Sequence, residues 1–236
     1  MALISKNTRN SDSTVHYLDS FYDSDKSLTP LLICPGLSEV AEEYKDFIEF
    51  MLPRRCVALS FRGRGMSDTP QNGYDLQHHI LDIESVIKET SLDHFYLFGY
   101  SRGVSYALGY TRMYSERIKK LIIQDYPLEH KAMPVEWAHD YIENYLIPYR
   151  RINNIRPEAV YGIQRDSIQE QITFEFSKPV LVIRGLQKDS LLSNKGLEQY
   201  KRQFPEIQIE EFKESGHDIR RNERSKLYET IKGFLD

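Results

Sequence analysis

Short apolar runs alternate along the chain with longer segments that have the period of a helix. Most of the runs end at a glycine or a polar turn, and their length is typical of strands buried within a sheet. We predict strands at residues 14–18, 31–34, 56–61, 95–99, 121–124, 180–184 and 207–212. Strands that alternate with helices indicate a largely parallel sheet flanked by helices, so the predicted class is α/β.

One helix is particularly clear from its spacing. Leu76, Ile80, Ile83 and Ile87 follow one another at steps of four, three and four residues, which places them on one face of a helix that covers the sheet. Further helices are predicted at residues 42–51, 102–114, 194–203 and 223–235.

The alternation stops between the strand that ends near Gln124 and the strand that starts at Val180. Helical spacing at 135–146 and 157–169 predicts a small helical cap, inserted at about residues 127–178 of a single domain that spans 1–236. Four aromatic residues give this insertion a large apolar surface: Trp137, Tyr141, Tyr145 and Tyr149.

The composition argues against some classes of binding partner. Among 236 residues, 31 Lys and Arg stand against 35 Asp and Glu, so a net charge of -4 argues against binding to nucleic acid. No apolar run approaches the roughly 20 residues of a membrane span, and the N-terminus lacks the apolar middle of a secretory signal. We therefore expect a cytoplasmic protein in which Cys34 and Cys56, both in apolar strands, are reduced and structural.

The strongest chemical signal is a Gly-Tyr-Ser-Arg-Gly pentapeptide at residues 99–103, placed where a predicted strand runs into a predicted helix. A serine at the tip of such a sharp turn is lifted clear of the sheet, and the two glycines leave room for the neighbouring backbone. Ser101 is therefore the candidate nucleophile. The alternative is an ordinary turn with a helix-capping serine.

A serine hydroxyl needs a base, and histidine is the usual one near neutral pH. His217 follows the last predicted strand, so it reaches the same edge of the sheet as Ser101. The other six histidines fall on helices, on strands or in the cap, without a spacing that would close a metal site: His16, His78, His79, His94, His130 and His139.

A carboxylate is needed to orient the base, and two candidates end strands at this edge. Asp189 follows the strand at 180–184, and the chain order Ser, Asp, His is the one expected for a nucleophile turn of this kind, so it is preferred. Asp125, at the end of the preceding strand, is the alternative. For the oxyanion, we predict the backbone amides of Arg102 and of Leu37, which follows the turn Pro35-Gly36.

Over residues 12 to 236 these features resemble the α/β-hydrolase fold superfamily. Besides the pentapeptide, the likeness rests on Pro35-Gly36, the Asp189 turn, Gly216-His217 and the segment Phe-Arg-Gly-Arg-Gly-Met-Ser at 61–67, which lacks the glycine and lysine of phosphate-binding loops. The resemblance implies that the pentapeptide carries the nucleophile and that the last two landmarks supply acid and base. The chain departs from the family in having Pro35 for a common His, Phe61 for a common Asp, and one extra residue before Asp189.

The resulting hypothesis is a carboxylesterase-like serine hydrolase that cleaves a small ester or related acyl compound without a metal or organic cofactor. Two alternatives keep the fold: carbon–carbon bond hydrolysis or a lyase reaction with the same triad, and a non-catalytic protein that binds a ligand or acts in signalling. Four cap arginines are candidates to bind a substrate carboxylate or, alternatively, to form a solvated face: Arg150, Arg151, Arg156 and Arg165.

Overall fold

A computed structural model describes residues 2–236 and contains a central eight-stranded sheet with helices on both faces. The strands are β1 (Ile4–Arg9), β2 (Thr14–Asp19), β3 (Leu31–Cys34), β4 (Cys56–Ser60), β5 (Phe95–Tyr100), β6 (Ile118–Gln124), β7 (Glu129–His130), β8 (Glu170–Gln171), β9 (Val180–Gly185) and β10 (Ile207–Phe212). The helices are α1 (Lys45–Met51), α2 (Leu76–Thr90), α3 (Arg102–Met113), α4 (Trp137–Tyr141), α5 (Pro157–Asp166), α6 (Asn194–Gln203), α7 (Ile219–Asn222) and α8 (Arg224–Leu235).

The order of strands across the sheet is β1-β2-β4-β3-β5-β6-β9-β10. The strands from β4 to β10 in this order run parallel, and β2 pairs antiparallel with β1 and β4. Every residue of β3, β4 and β9 is buried, which explains why these strands read as continuous apolar runs. The predicted α/β class is confirmed.

The strand β1 was not predicted from the sequence. Only Thr8 of this edge strand is buried, so its residues carry no apolar pattern. By contrast, the helix predicted from the spacing of isoleucines is α2: its four apolar residues are buried, and the Asp75 side chain caps its first turn by accepting from the His78 amide.

Helices cover both faces of the sheet and enclose an apolar core on each side. Cys34 and Cys56 are free thiols that point into these cores, and burial raises the pKa of Cys56 to about 12. Among residues 2–236, no helix has both the length and the apolar character that crossing a bilayer requires.

Between β6 and β9 lies the segment predicted as an insertion, here called the cap (residues 127–178). It contains the short antiparallel pair β7 and β8, the helices α4 and α5, and a π-helical turn at Ile142–Leu146 that continues α4. A separate apolar cluster joins the cap helices to Tyr74 beside α2. The cap thereby covers the carboxyl ends of the parallel strands, where the candidate chemistry lies.

Candidate active site

The turn between β5 and α3 holds Ser101 in a left-handed backbone conformation, with φ 52° and ψ -133°. An added Cβ on Gly99 would come within 2.8 Å of the Val104 Cα, and one on Gly103 would overlap the carbonyl oxygens of Cys34 and Pro35. The two glycines therefore allow α3 to start directly against β3. Such strain in a non-glycine residue is typical of functional sites.

Three side chains from different strand ends form one hydrogen-bonded chain. The Oγ of Ser101 lies 2.9 Å from Nε2 of His217, and Nδ1 of His217 lies 2.8 Å from Oδ2 of Asp125. An ionised carboxylate can only accept, so the proton of the neutral ring sits on Nδ1 and Nε2 is free to accept from the serine. This is the arrangement that proton transfer from Ser101 requires.

The preference for Asp189 as the partner of His217 is corrected by this geometry. Among residues 2–236, Nδ1 of His217 donates to Asp125, the alternative, while Asp189 lies exposed and packs against the backbone of Gly216. The physical reason is where each carboxylate lies: Asp125 directly follows β6 and is completely buried beside the ring, whereas Asp189 lies four residues beyond the end of β9, in an exposed part of its loop.

The loop after β9 does not supply the carboxylate that contacts His217. It nevertheless belongs to the site, because two of its residues bind Asp125. The Ser190 hydroxyl donates to Oδ1 of Asp125 at 2.5 Å, and the Leu191 amide donates to Oδ2 at 2.9 Å. Asp125 itself has no exposed surface and a φ of 50°. With His217, three donors thus fix both oxygens of a completely buried carboxylate.

Tyr100, which precedes the nucleophile, holds the histidine from its other side. Its ring stacks on the His217 ring with centroids 5.1 Å apart and planes inclined by 23°, and its hydroxyl donates to the His217 carbonyl oxygen at 3.2 Å. No local pattern in the sequence indicates this role, because the contact joins residues more than a hundred positions apart.

The loop at residues 36–39 packs against the nucleophile, since an added Cβ on Gly36 would lie 3.2 Å from the Cβ of Ser101. The Gly36 amide donates to Oε2 of Glu39 at 3.0 Å, and the other oxygen of this carboxylate pairs with Arg220, three residues after His217. Among the described residues, the Leu37 amide donates to no protein group. The same holds for the Arg102 amide at the start of α3.

A cavity of about 700 Å³ lies between this loop, the cap and α7, and Ser101 and His217 open into it. Its cap wall is aromatic: Trp137, Tyr141, Tyr145 and Tyr149. In the part of the chain that the structure describes, no group of His, Cys, Asp and Glu side chains is arranged to hold a metal ion.

The cap arginines have mainly structural contacts. Arg151 binds Glu43 and Ser38, Arg156 binds the backbone of Gly65 and Ser67, and Arg165 pairs with Asp166. Of the four, only Arg151 lines the cavity, and its charge is already paired.

Three of the remaining histidines, His16, His79 and His130, are buried away from this chain of contacts, and the last two lie against an arginine. His130 lies between Ser105 and Arg102, and burial together with the Arg102 charge lowers its pKa to about 3. Burial likewise lowers the pKa of His79, which contacts Arg64. Both rings serve as neutral structural groups.

Comparison with known proteins agrees with this architecture. The family model described as alpha/beta hydrolase fold matches residues 29–147, about half of the chain, so the chain belongs to this family. The resemblance stated from the sequence is thereby confirmed. A search among curated proteins finds no match.

Solved structures extend the similarity to nearly the whole chain. An esterase from Exiguobacterium antarcticum is 19% identical, with a TM-score of 0.80 over 98% of this chain and 99% of that one. An esterase from Rhodococcus sp. is 15% identical, with a TM-score of 0.80 over 100% and 98%. An epoxide hydrolase from Bacillus megaterium is 17% identical, with a TM-score of 0.79 over 98% and 99%. At these identities, the likeness is one of fold.

Proposed function

We propose that this protein is a carboxylesterase-like serine hydrolase that cleaves a small-molecule ester through an acyl-enzyme. The observation that carries the proposal is the unbroken contact from Ser101 through His217 to Asp125. A ligand-binding protein without catalysis has no need of a strained serine aligned with a base, so these contacts favour an enzyme.

In the first half of the reaction, the Ser101 oxygen attacks the carbonyl carbon of the ester while its proton passes to Nε2 of His217. The carbonyl oxygen becomes an oxyanion, and the amides of Leu37 and Arg102 are the donors for it. His217 then gives the proton to the departing alkoxide, so that an alcohol leaves and Ser101 is acylated.

In the second half, a water molecule gives a proton to His217 and attacks the acyl carbon. Collapse of the second tetrahedral intermediate releases the carboxylic acid and returns the proton to Ser101. Asp125 holds the ring with Nδ1 protonated and balances the positive charge that the ring carries in both transition states. No step calls for a metal or an organic cofactor.

The orientation of the loop 36–39 agrees with these roles. Because Glu39 accepts from the Gly36 amide, that amide is occupied, and the next amide, that of Leu37, is a free donor. The turn at Ser101 provides the second donor next to the start of α3, where the helix dipole also favours negative charge.

The test compares Ser101→Ala with Ser177→Ala, a change of an exposed serine before β9. Wild-type protein and Ser177→Ala are expected to hydrolyse 4-nitrophenyl butyrate and to be labelled by a fluorophosphonate, and Ser101→Ala is expected to do neither. Hydrolysis that persists in Ser101→Ala contradicts the proposal. Labelling of Ser101 without turnover of any ester points instead to carbon–carbon bond hydrolysis or a lyase step, and absence of labelling points to a binding protein.

A further inference from the structure

Four aromatic rings form a continuous stack along the cap wall of the cavity, here called the aromatic ladder (Trp137, Tyr141, Tyr145 and Tyr149). Successive ring centroids are 5.2, 5.0 and 5.1 Å apart, with planes inclined by 18°, 19° and 37°. All four side chains line the same cavity as Ser101 and His217.

The helix that carries the ladder is widened in the middle. The Ile147 amide donates to the Ile142 carbonyl at 3.0 Å, five residues earlier, in the π-helical turn. In an α-helix, side chains four positions apart are rotated by about 40° around the axis. A π turn holds more residues per turn and reduces this rotation, so Tyr141, Tyr145 and Tyr149 lie more nearly above one another.

The stack determines which part of each ring a ligand meets. Tyr141 stacks on both Trp137 and Tyr145, and Tyr145 stacks on Tyr141 and has Tyr149 tilted against it, so both rings use their faces mainly for one another and their edges are left for the cavity. The edge of an aromatic ring carries partial positive charge, and its favoured apolar partner is the negative face of another aromatic ring. A saturated ring of the same size lacks this face.

The ladder also has a fixed position relative to the reacting groups. The Tyr141 hydroxyl donates to Oγ of Ser38, the residue after Leu37, so this part of the ladder is anchored at the loop beside Ser101. Exposure then rises outward, from 39% at Tyr145 to 63% at Tyr149. A group bound along the ladder is thus one joined to the ester at its inner end and open to solvent at its outer end.

We propose that the aromatic ladder binds a flat aryl group of the substrate by edge-to-face contact, so that the enzyme prefers aryl-substituted esters. This inference rests on the proposed function, because it takes the substrate to be an ester. It concerns a different part of the cavity from the catalytic groups, and can therefore fail while that function holds.

The test uses two matched pairs of esters that differ only in a phenyl or a cyclohexyl ring: benzyl and cyclohexylmethyl acetate for the alcohol side, and methyl 3-phenylpropanoate and methyl 3-cyclohexylpropanoate for the acyl side. Within each pair the ester has similar chemical reactivity. Cyclohexyl is the more hydrophobic ring, so a cavity that selects by hydrophobicity alone prefers the saturated member. The ladder is expected to reverse that order in at least one pair, by about five- to tenfold in kcat/KM.

The variants localise the effect. Tyr145→Phe keeps the ring edge and is expected to retain the aryl preference, whereas Tyr145→Leu is expected to abolish it. Tyr161→Leu is the matched control, since Tyr161 is an exposed tyrosine on α5 that does not line the cavity. Because Tyr145 is 39% exposed, we expect its variants to fold. Fluorophosphonate labelling of each variant verifies this.

A binding measurement tests the ladder without turnover. Trp137 is the only tryptophan of the chain and belongs to the ladder, so its fluorescence in Ser101→Ala reports directly on occupancy. The aryl esters are expected to bind about five- to tenfold more tightly than their saturated partners. Equal or weaker binding of the aryl member in both pairs overturns the ladder proposal even where ester hydrolysis is intact. Aryl-selective binding by a protein that hydrolyses no ester supports the ladder and refutes the proposed function.

Discussion

Replacing Asp125 by Asn tests the chain of contacts at its most buried point. Oδ2 of Asp125 accepts from His217 and Leu191, and Oδ1 accepts from Ser190. An asparagine can turn its amide nitrogen toward the Ser190 hydroxyl, which rotates to accept, and keep its oxygen toward the other two donors. The histidine therefore keeps the same proton on Nδ1, and the variant loses chiefly the negative charge.

The size of the loss follows from Coulomb's law. When His217 takes up the serine proton, its charge lies about 4 Å from the centre of the carboxylate charge, which is worth about 4 kcal/mol at an effective dielectric constant of about 20. At about 1.4 kcal/mol per factor of ten, Asp125→Asn is expected to lower kcat/KM about 10³-fold. Asp125→Ala also removes the group that orients the ring, and is expected to lose about tenfold more.

The assay is the hydrolysis of 4-nitrophenyl butyrate, together with the rate of fluorophosphonate labelling. Asp189→Asn is the control, because this exposed carboxylate makes no hydrogen bond to His217 among the described residues. It is expected to stay within about twofold of wild type. A loss at Asp189→Asn as large as that at Asp125→Asn refutes the reasoning, as does an Asp125→Asn enzyme within tenfold of wild type.

Three further predictions concern groups around the chain of contacts. Tyr100→Phe removes the hydrogen bond to the His217 carbonyl and is expected to lower kcat about fivefold. Tyr100→Leu also removes the stacked ring and is expected to lower kcat further. Steady-state kinetics that show equal losses of kcat contradict the role of the ring. Glu39 accepts from the Gly36 amide and is itself paired with Arg220. Glu39→Gln breaks this ion pair and is expected to lower kcat about ten- to hundredfold with little change in KM. An unchanged kcat disproves the positioning role. His130 binds a proton more weakly in the folded protein, where its pKa is about 3, than in the unfolded chain, where it is near 6.5, so its contribution to stability is complete above pH 6.5 and falls as the pH drops toward 3. Between pH 6.5 and 5, the free energy of unfolding measured with urea is expected to fall by about 1.6 kcal/mol more in wild type than in His130→Asn, and parallel slopes argue against this linkage.

The sequence predicts those features that are encoded locally. The apolar runs identify the central strands because these are buried on both sides, and the glycines at residues 99–103 identify the sharp turn because only glycine fits there. His217 is found because it follows a strand that ends at the same edge. The catalytic roles of these residues stay predictions, although the contacts between Ser101 and His217 agree with them.

Features that depend on how loops fold over the strand ends are not encoded in this way. The choice between Asp125 and Asp189 depends on the loop after β9, because Ser190 and Leu191 of this loop bind Asp125 while its own Asp189 stays exposed. Glu39 and Arg220 are likewise ordinary charged residues in the sequence, and they gain a role only because α7 packs against the loop 36–39.

The contacts between the cap and Ser38 constrain how ligands can enter and leave the cavity. Tyr141 and Arg151 donate to the Ser38 hydroxyl, and Arg151 and Asn154 donate to its carbonyl oxygen, so three residues of the cap grip a single residue beside Leu37. Swinging the cap away would also displace the neighbouring Leu37 amide, one of the two proposed oxyanion donors. Tyr149 lines the cavity and is 63% exposed, so we expect ligands to enter and leave on this side while the cap stays in place. A bulky molecule bound under the cap is expected to slow ester cleavage as well as to block access.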